Sequence, residues 1–146
     1  MTTDNAGVSL IRNFEGTLLH YYVDTAGYPT IGIGHKIRPS DPYVKGTIIS
    51  MDEANQLLKY DLRSTESAIN ADVNVPLSQN QFDALVSLVF NIGDHGFATS
   101  HLLRAINASA LISVIKPLWL EWNHAGGEVS GDLTRRRAKE FNLYCL

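Results

Sequence analysis

Glu15, Asp24 and Thr30 place two carboxylates and a hydroxyl along one short stretch. It runs from Phe14-Glu15-Gly16 through Tyr22-Val23-Asp24-Thr25-Ala26-Gly27 to Thr30-Ile31-Gly32-Ile33-Gly34-His35. Breaking a glycosidic bond needs a carboxylic acid to protonate the leaving oxygen. It also needs a second carboxylate to support the oxocarbenium-like centre or to activate water. This segment offers both groups and a polar side chain to hold the water, so the chemistry it points to is glycoside hydrolysis.

The elements that must position these groups follow from periodicity. Val8, Leu10, Ile11 and Phe14 keep helical spacing from about residue 4 to 14, with Asp4 or Asn5 as cap. Leu18 to Val23 alternates like a strand, 25–29 is a turn, and Thr30 to Gly34 returns as a second strand. Glycines at 32 and 34 strip one face of that strand and suggest a cleft floor.

Ser50-Met51-Asp52-Glu53 and Ser78-Gln79-Asn80-Gln81 are capping boxes that start two helices. The first is expected to run unbroken to about Asp72, about 33 Å, as a connector. The second, Phe82 to Ile92, is apolar nearly all round and reads as a central buried helix. Shorter helices are expected near 99–106 and 109–122, the latter kinked or restarted at Pro117. A loop at 125–131 precedes a last basic helix over 133–144. The fold class is α+β. It is expected as a single domain with a small β-bearing lobe over about 15–50, a linking helix over about 50–72, and a helical lobe over about 77–146 joined by the N-terminal helix.

Composition narrows the function classes. The 146 residues carry a net charge of −3, too mild to argue for nucleic acid. Cys145 is the only cysteine, and the five histidines show no ligand spacing, so neither metal nor cofactor is expected. Met1 to Gly7 is polar, without the pattern of a signal peptide. Synthesis in the host cytoplasm is therefore expected, with access to an external substrate through a lesion made by something else. Four of the 12 basic residues fall in Arg135, Arg136, Arg137 and Lys139. Most of these charges are expected on a solvated face. Together with Phe141, Leu143, Tyr144 and Leu146 they also form a candidate amphipathic contact for anionic lipid or lipopolysaccharide, unless those apolar residues close the core.

The segments 10–16, 22–27 and 30–35, with Gln81 to Gly93, Ser100 to Arg104, Trp122 to Gly127 and Arg136 to Glu140, closely resemble the bacteriophage lysozymes, the phage-type muramidases or endolysins. The resemblance implies the lysozyme-like fold and hydrolysis of the β-1,4 bond between N-acetylmuramic acid and N-acetylglucosamine in peptidoglycan, for host cell lysis. It implies Glu15 as general acid, with Asp24 and Thr30 holding the attacking water. Inversion is the expected outcome, which requires carboxyls roughly 6.5–9.5 Å apart.

The resemblance further implies Gly34, Phe90, Asn91 and Ser100 as residues lining the saccharide site, although Phe90 alone reads equally well as core. It implies Arg136 as a cation reaching towards Glu15, and His35 with Asp61 as a pair tying the hairpin to the long helix. Trp119 and Trp122 are read as packing residues. Two positions depart from the family pattern: Asp132, where glycine is usual, and Lys36, where an uncharged residue is commoner. A monomer acting on glycan strands is expected. The rival readings are a lytic transglycosylase, and a membrane-disrupting or wall-binding protein acting through its C-terminal helix.

Overall fold

A computed structural model describes all 146 residues. Eight helices and five short strands follow one another as α1 (Asn5–Glu15), β1 (Leu18–Val23), β2 (Pro29–Gly32), β3 (His35–Lys36), α2 (Met51–Asp61), α3 (Arg63–Asp72), α4 (Gln79–Ile92), α5 (Asp94–Ala98), α6 (His101–Asn107), α7 (Ile112–Leu120), β4 (His124–Ala125), β5 (Glu128–Val129) and α8 (Gly131–Tyr144). Backbone proximity divides the chain into two compact units. One is Val8–Arg63; the other joins Met1–Gly7 to Ser64–Leu146.

The smaller unit is a three-stranded antiparallel sheet, ordered β1-β2-β3, packed on α2. Glu15 ends α1, and Gly16 follows with φ at +74°, a backbone that only glycine adopts without strain. That residue lets the chain leave the helix directly into β1. Thr30 lies opposite Tyr22 on one side and Lys36 on the other, and Ile31 lies opposite His35. The return strand is shorter than expected, because Ile33 and Gly34 form the turn into β3. Gly32, with φ at +70°, is buried against α2: a Cβ there would sit 3.3 Å from the Ile49 Cδ1 and 3.4 Å from the Ala54 Cβ. It therefore serves close packing of strand on helix and is no cleft floor. Of the two glycines, Gly34 alone faces open space.

The larger unit is built around α4, in which Phe82 to Val89 are all buried, as its all-round apolar pattern predicts. Helix α8 packs along α4 and α7, where Trp119, Phe141 and Tyr144 form an aromatic cluster with ring centroids 5.1–6.1 Å apart. Both capping boxes form: Ser50 accepts from the Glu53 amide and Ser78 from that of Gln81, with the reciprocal bonds in place. Asp4 caps α1, its Oδ1 accepting from Ala6 and Gly7 at 2.7 and 3.0 Å. Helix α7 runs through Pro117 without a restart.

Three elements differ from the sequence reading. The segment 50–72 is two helices, α2 and α3, divided at Leu62, and the two belong to different units. The expected loop at 125–131 is a tight antiparallel hairpin turning on Gly126 and Gly127. Helix α8 begins earlier than expected, with Ser130 as its cap. Asp132 sits in its first turn and pairs with Arg135, so the departure at that position complements the helix dipole.

Candidate active site

All three residues proposed for catalysis belong to the smaller unit. Glu15 is the last residue of α1, exposed, and held at the helix end by the Gly16 amide donating to the Arg12 carbonyl at 3.0 Å.

Asp24 is a turn former and more. Its Oδ1 accepts from the Ala26 amide at 2.9 Å and the Tyr28 amide at 2.8 Å, while its own amide donates to the Tyr28 carbonyl. The carboxylate is thus clamped by the β1–β2 turn through one oxygen, and Oδ2 lies outside the turn's hydrogen bonds. Thr30, only 2% exposed, donates its hydroxyl proton to the Tyr28 carbonyl at 2.8 Å. With that proton committed, Oγ1 presents lone pairs only. Tyr28 therefore links both groups: its amide fixes Asp24 and its carbonyl fixes Thr30. On the same strand face, Lys36, opposite Thr30, holds its Nζ 4.4 Å from the centre of the Tyr28 ring.

His35 anchors this hairpin to α2. Its Nδ1 lies 2.8 Å from Asp61 Oδ2, the pair implied by the resemblance, and its Nε2 lies 3.1 Å from Asp41 Oδ2. Both contacts are hydrogen bonds together only when both ring nitrogens carry protons. Asp41 also accepts from the Arg38 amide at 2.7 Å, chiefly because of which its carboxyl is held below the ordinary range. Sequence reasoning missed Asp41, whose loop gives no periodic signal.

Phe90, Asn91, Ser100 and Arg136 belong to the larger unit. Ser100 is buried and its hydroxyl is committed to structure, donating to the Phe97 carbonyl at 2.7 Å and capping α6 through the Leu103 amide at 3.0 Å. Phe90 is half-buried. Asn91 is exposed, accepts from Arg137 Nη2 at 2.7 Å, and lines an open cavity of about 700 Å³ with Ile92, Glu121, Trp122, His124 and Leu133. Trp122, read from sequence as a packing residue, is thus part of a concave wall; no local pattern distinguishes it from the buried Trp119.

Arg136 donates to Glu140 Oε1 at 2.9 Å and to the Ser87 carbonyl at 3.0 Å. Ser87 donates its hydroxyl to Glu140 Oε1 at 2.6 Å, and Arg137 Nε lies 3.1 Å from Glu140 Oε2. Burial pushes the Glu140 carboxyl up, and the two guanidiniums with Ser87 oppose that push. Two of the four clustered cations are therefore buried in a charge network, and only Arg135 and Lys139 lie on the expected solvated face. Phe141 and Tyr144 are buried as well, so the apolar side of α8 closes the core.

Comparison with known proteins agrees with this architecture. The phage lysozyme family model matches residues 12–140. The endolysin of Salmonella phage P22 is 39% identical over 138 residues, covering 94% of this chain and 94% of that one. The endolysin of Bacillus phage PZA is 36% identical over 148 residues, covering 99% of this chain and 55% of that one. A P22 lysozyme variant superposes with a TM-score of 0.91 at 36% identity, covering 100% of this chain and 99% of that one. The muramidase domain of SpmX from Asticaccaulis excentricus does so at 0.87 and 35%, covering 99% and 98%. With the lysozyme-like fold, the helix-end carboxylate and the clamped turn of Asp24 and Thr30 in place, the chain belongs to the phage lysozyme family.

Proposed function

We propose that this chain hydrolyses the β-1,4 bond between N-acetylmuramic acid and N-acetylglucosamine in bacterial peptidoglycan, with Glu15 as acid and Asp24 with Thr30 as the water site. The observation that carries this reading is the double role of Tyr28, which fixes a carboxylate and a proton-committed hydroxyl on one turn. Two acceptors take both hydrogens of a water molecule and leave its lone pair directed at the substrate.

Glu15 transfers its proton to the glycosidic oxygen as the C1–O bond breaks, releasing the 4-hydroxyl of N-acetylglucosamine. The water oxygen bonds to C1 from the opposite face and its proton passes to Asp24, leaving a reducing muramyl end. Solvent then returns a proton to Glu15 and takes one from Asp24. Attack opposite the leaving group inverts the anomeric centre.

Membership of the phage lysozyme family and relatives named endolysin support a glycoside hydrolase acting on the cell wall. The lytic transglycosylase alternative uses the muramyl 6-hydroxyl and has no role for a pair of water acceptors. The burial of Phe141 and Tyr144 gives no support to a membrane-active C-terminal helix. The same reading makes the protein a monomer that works at the periplasmic wall after release from the host cytoplasm. No helix is long and apolar enough to cross a membrane.

Glu15→Gln tests the proposal. General acid catalysis contributes roughly 10²–10⁴-fold, so wall clearing should fall at least that far while fold and glycan binding persist. Clearing at near the parent rate, or anhydromuramyl product ends by mass spectrometry, would overturn it.

A further inference from the structure

The larger unit carries an apolar corner that its core does not use. Leu111, Ile112, Ser113 and Val114 are consecutive and all exposed, with Leu111 at 75%, Ile112 at 46% and Val114 at 47%. Exposed apolar side chains are normally scattered singly, and a contiguous run marks an interaction surface. The corner is firmly built. Ile115 and Trp119, further along α7 on the side that Ile112 borders, are buried and anchor the helix. Just before it, Ser109 holds a left-handed backbone at φ 51°, and the Ala110 amide donates to the Ala105 carbonyl at 3.0 Å. A crevice of about 260 Å³, lined by Val75, Leu77, Ile106, Ile112 and Ile115 among others, opens beside it.

Charge identifies what covers this corner. From His95 to Leu120 there is no Asp or Glu, although the whole chain is net negative at −3. Arg104 and Lys116 are both exposed. Lys116 follows Ile112 by one turn of α7 and so shares a helix face with the apolar tip, and Arg104 stands one turn before the exposed Ala108 that ends α6. An apolar tip with a collar of cations set back about 6 Å along each helix matches the layering of an anionic bilayer, acyl boundary first and phosphates behind. The long cationic side chains reach the phosphates while their stems stay with the apolar surface. A second copy of the chain meeting the same corner would set like charges against one another. We propose that the α6–α7 corner is an interfacial docking surface for anionic phospholipid membranes. It uses no residue assigned to catalysis.

Co-sedimentation with vesicles tests this, using phosphatidylcholine alone and phosphatidylcholine mixed with phosphatidylglycerol in equal parts. The protein should bind the mixed vesicles and leave the neutral ones. Leu111→Asp combined with Ile112→Asp should weaken partitioning by roughly tenfold or more. Lys116→Glu should weaken it by about fivefold or more, on the scale of one surface cation. Each variant should clear purified walls at the parent rate, which also reports that it is folded. If the double variant unfolds, the single exposed change Lys116→Glu still decides the matter. Equal binding to both vesicle types, partitioning unchanged in the variants, or a dimer that Leu111→Asp dissolves would each overturn the proposal.

Discussion

Asp83→Asn should stabilise this protein at neutral pH and remove part of its pH dependence. Asp83 sits on the buried helix α4, 1% exposed, and packs so closely on α1 that a Cβ on Gly7 would lie 2.6 Å from its Cγ. Its Oδ1 accepts from Gln79 Nε2 at 2.8 Å and from the Asp4 amide at 3.3 Å. Burial pushes its carboxyl up to about 6, and the Asp4 carboxylate adds to that push. Asp4 itself is held below the ordinary range, chiefly by the Gly7 amide, and so stays ionised beside it.

The rise above the ordinary value of 3.8 is about two pH units, at about 1.4 kcal/mol each, which sets a ceiling near 3 kcal/mol. The Gln79 amide, which opposes the rise, is already contained in it; an amide is an imperfect replacement for a carboxylic acid in so close a packing, which reduces the expected figure to about 1–2 kcal/mol. Because the folded state retains this proton after the unfolded chain has lost it, the stability contributed by Asp83 is complete below about pH 4. It is lost as pH rises towards 6. Asparagine mimics the protonated form: its Oδ1 keeps both acceptor bonds and its amide donates to Asp4 in place of the acid proton. Urea unfolding at pH 4 and pH 7.5 measures the effect. The variant should match the parent at pH 4 and exceed it by about 1–2 kcal/mol at pH 7.5, about 3 to 8 °C in Tm for a chain of this size. A variant no more stable than the parent at pH 7.5, or one with the same loss between the two pH values, would refute the argument.

Thr30→Val keeps the shape of a buried strand residue but removes the proposed water acceptor; kcat on purified peptidoglycan should fall by roughly 10²–10³-fold, while stability falls by only about 1 kcal/mol as the Tyr28 carbonyl loses its donor. Gly32→Ala should destabilise by about 1–3 kcal/mol, because φ at +70° and the contacts with Ile49 and Ala54 both oppose a Cβ, and calorimetry would show it. Asp41→Asn should lower stability at neutral pH by about 1 kcal/mol by loosening the clamp on His35. The contribution of Asp41 is present above about pH 4 and lost as pH falls through its depressed folded value, so the gap between variant and parent in urea melts should close in acid.

Where an interaction closes within a few residues, the chain alone specified it. The capping boxes at Ser50 and Ser78, the Asp4 cap and the turn from Asp24 to Tyr28 all join groups two to four positions apart; the boxes form as read, the cap is the first of the two residues offered for it, and the turn falls within one residue of the expected 25–29. The candidate catalytic segment is of this kind: one helix end and one hairpin carry all three residues, so their order and spacing were informative without a fold. The buried pattern of α4 was likewise local, since an all-round apolar helix has only one favourable environment.

Tertiary structure decided what depends on partners distant in sequence. Arg137 read as one of the solvated cations, and Arg136 as one reaching towards Glu15, until Ser87 and Glu140, brought together from helices α4 and α8, made burial of both charges tolerable. Gly32 read as an open strand position until Ala54 closed on it. Nothing at Leu62 signals the break between α2 and α3: its neighbours favour helix on both sides, and Leu62 itself keeps a helical backbone with its amide donating to the Leu58 carbonyl at 2.9 Å. Local patterns fix which hydrogen bonds a short segment makes with itself, whereas burial is a property of what arrives from elsewhere in the chain.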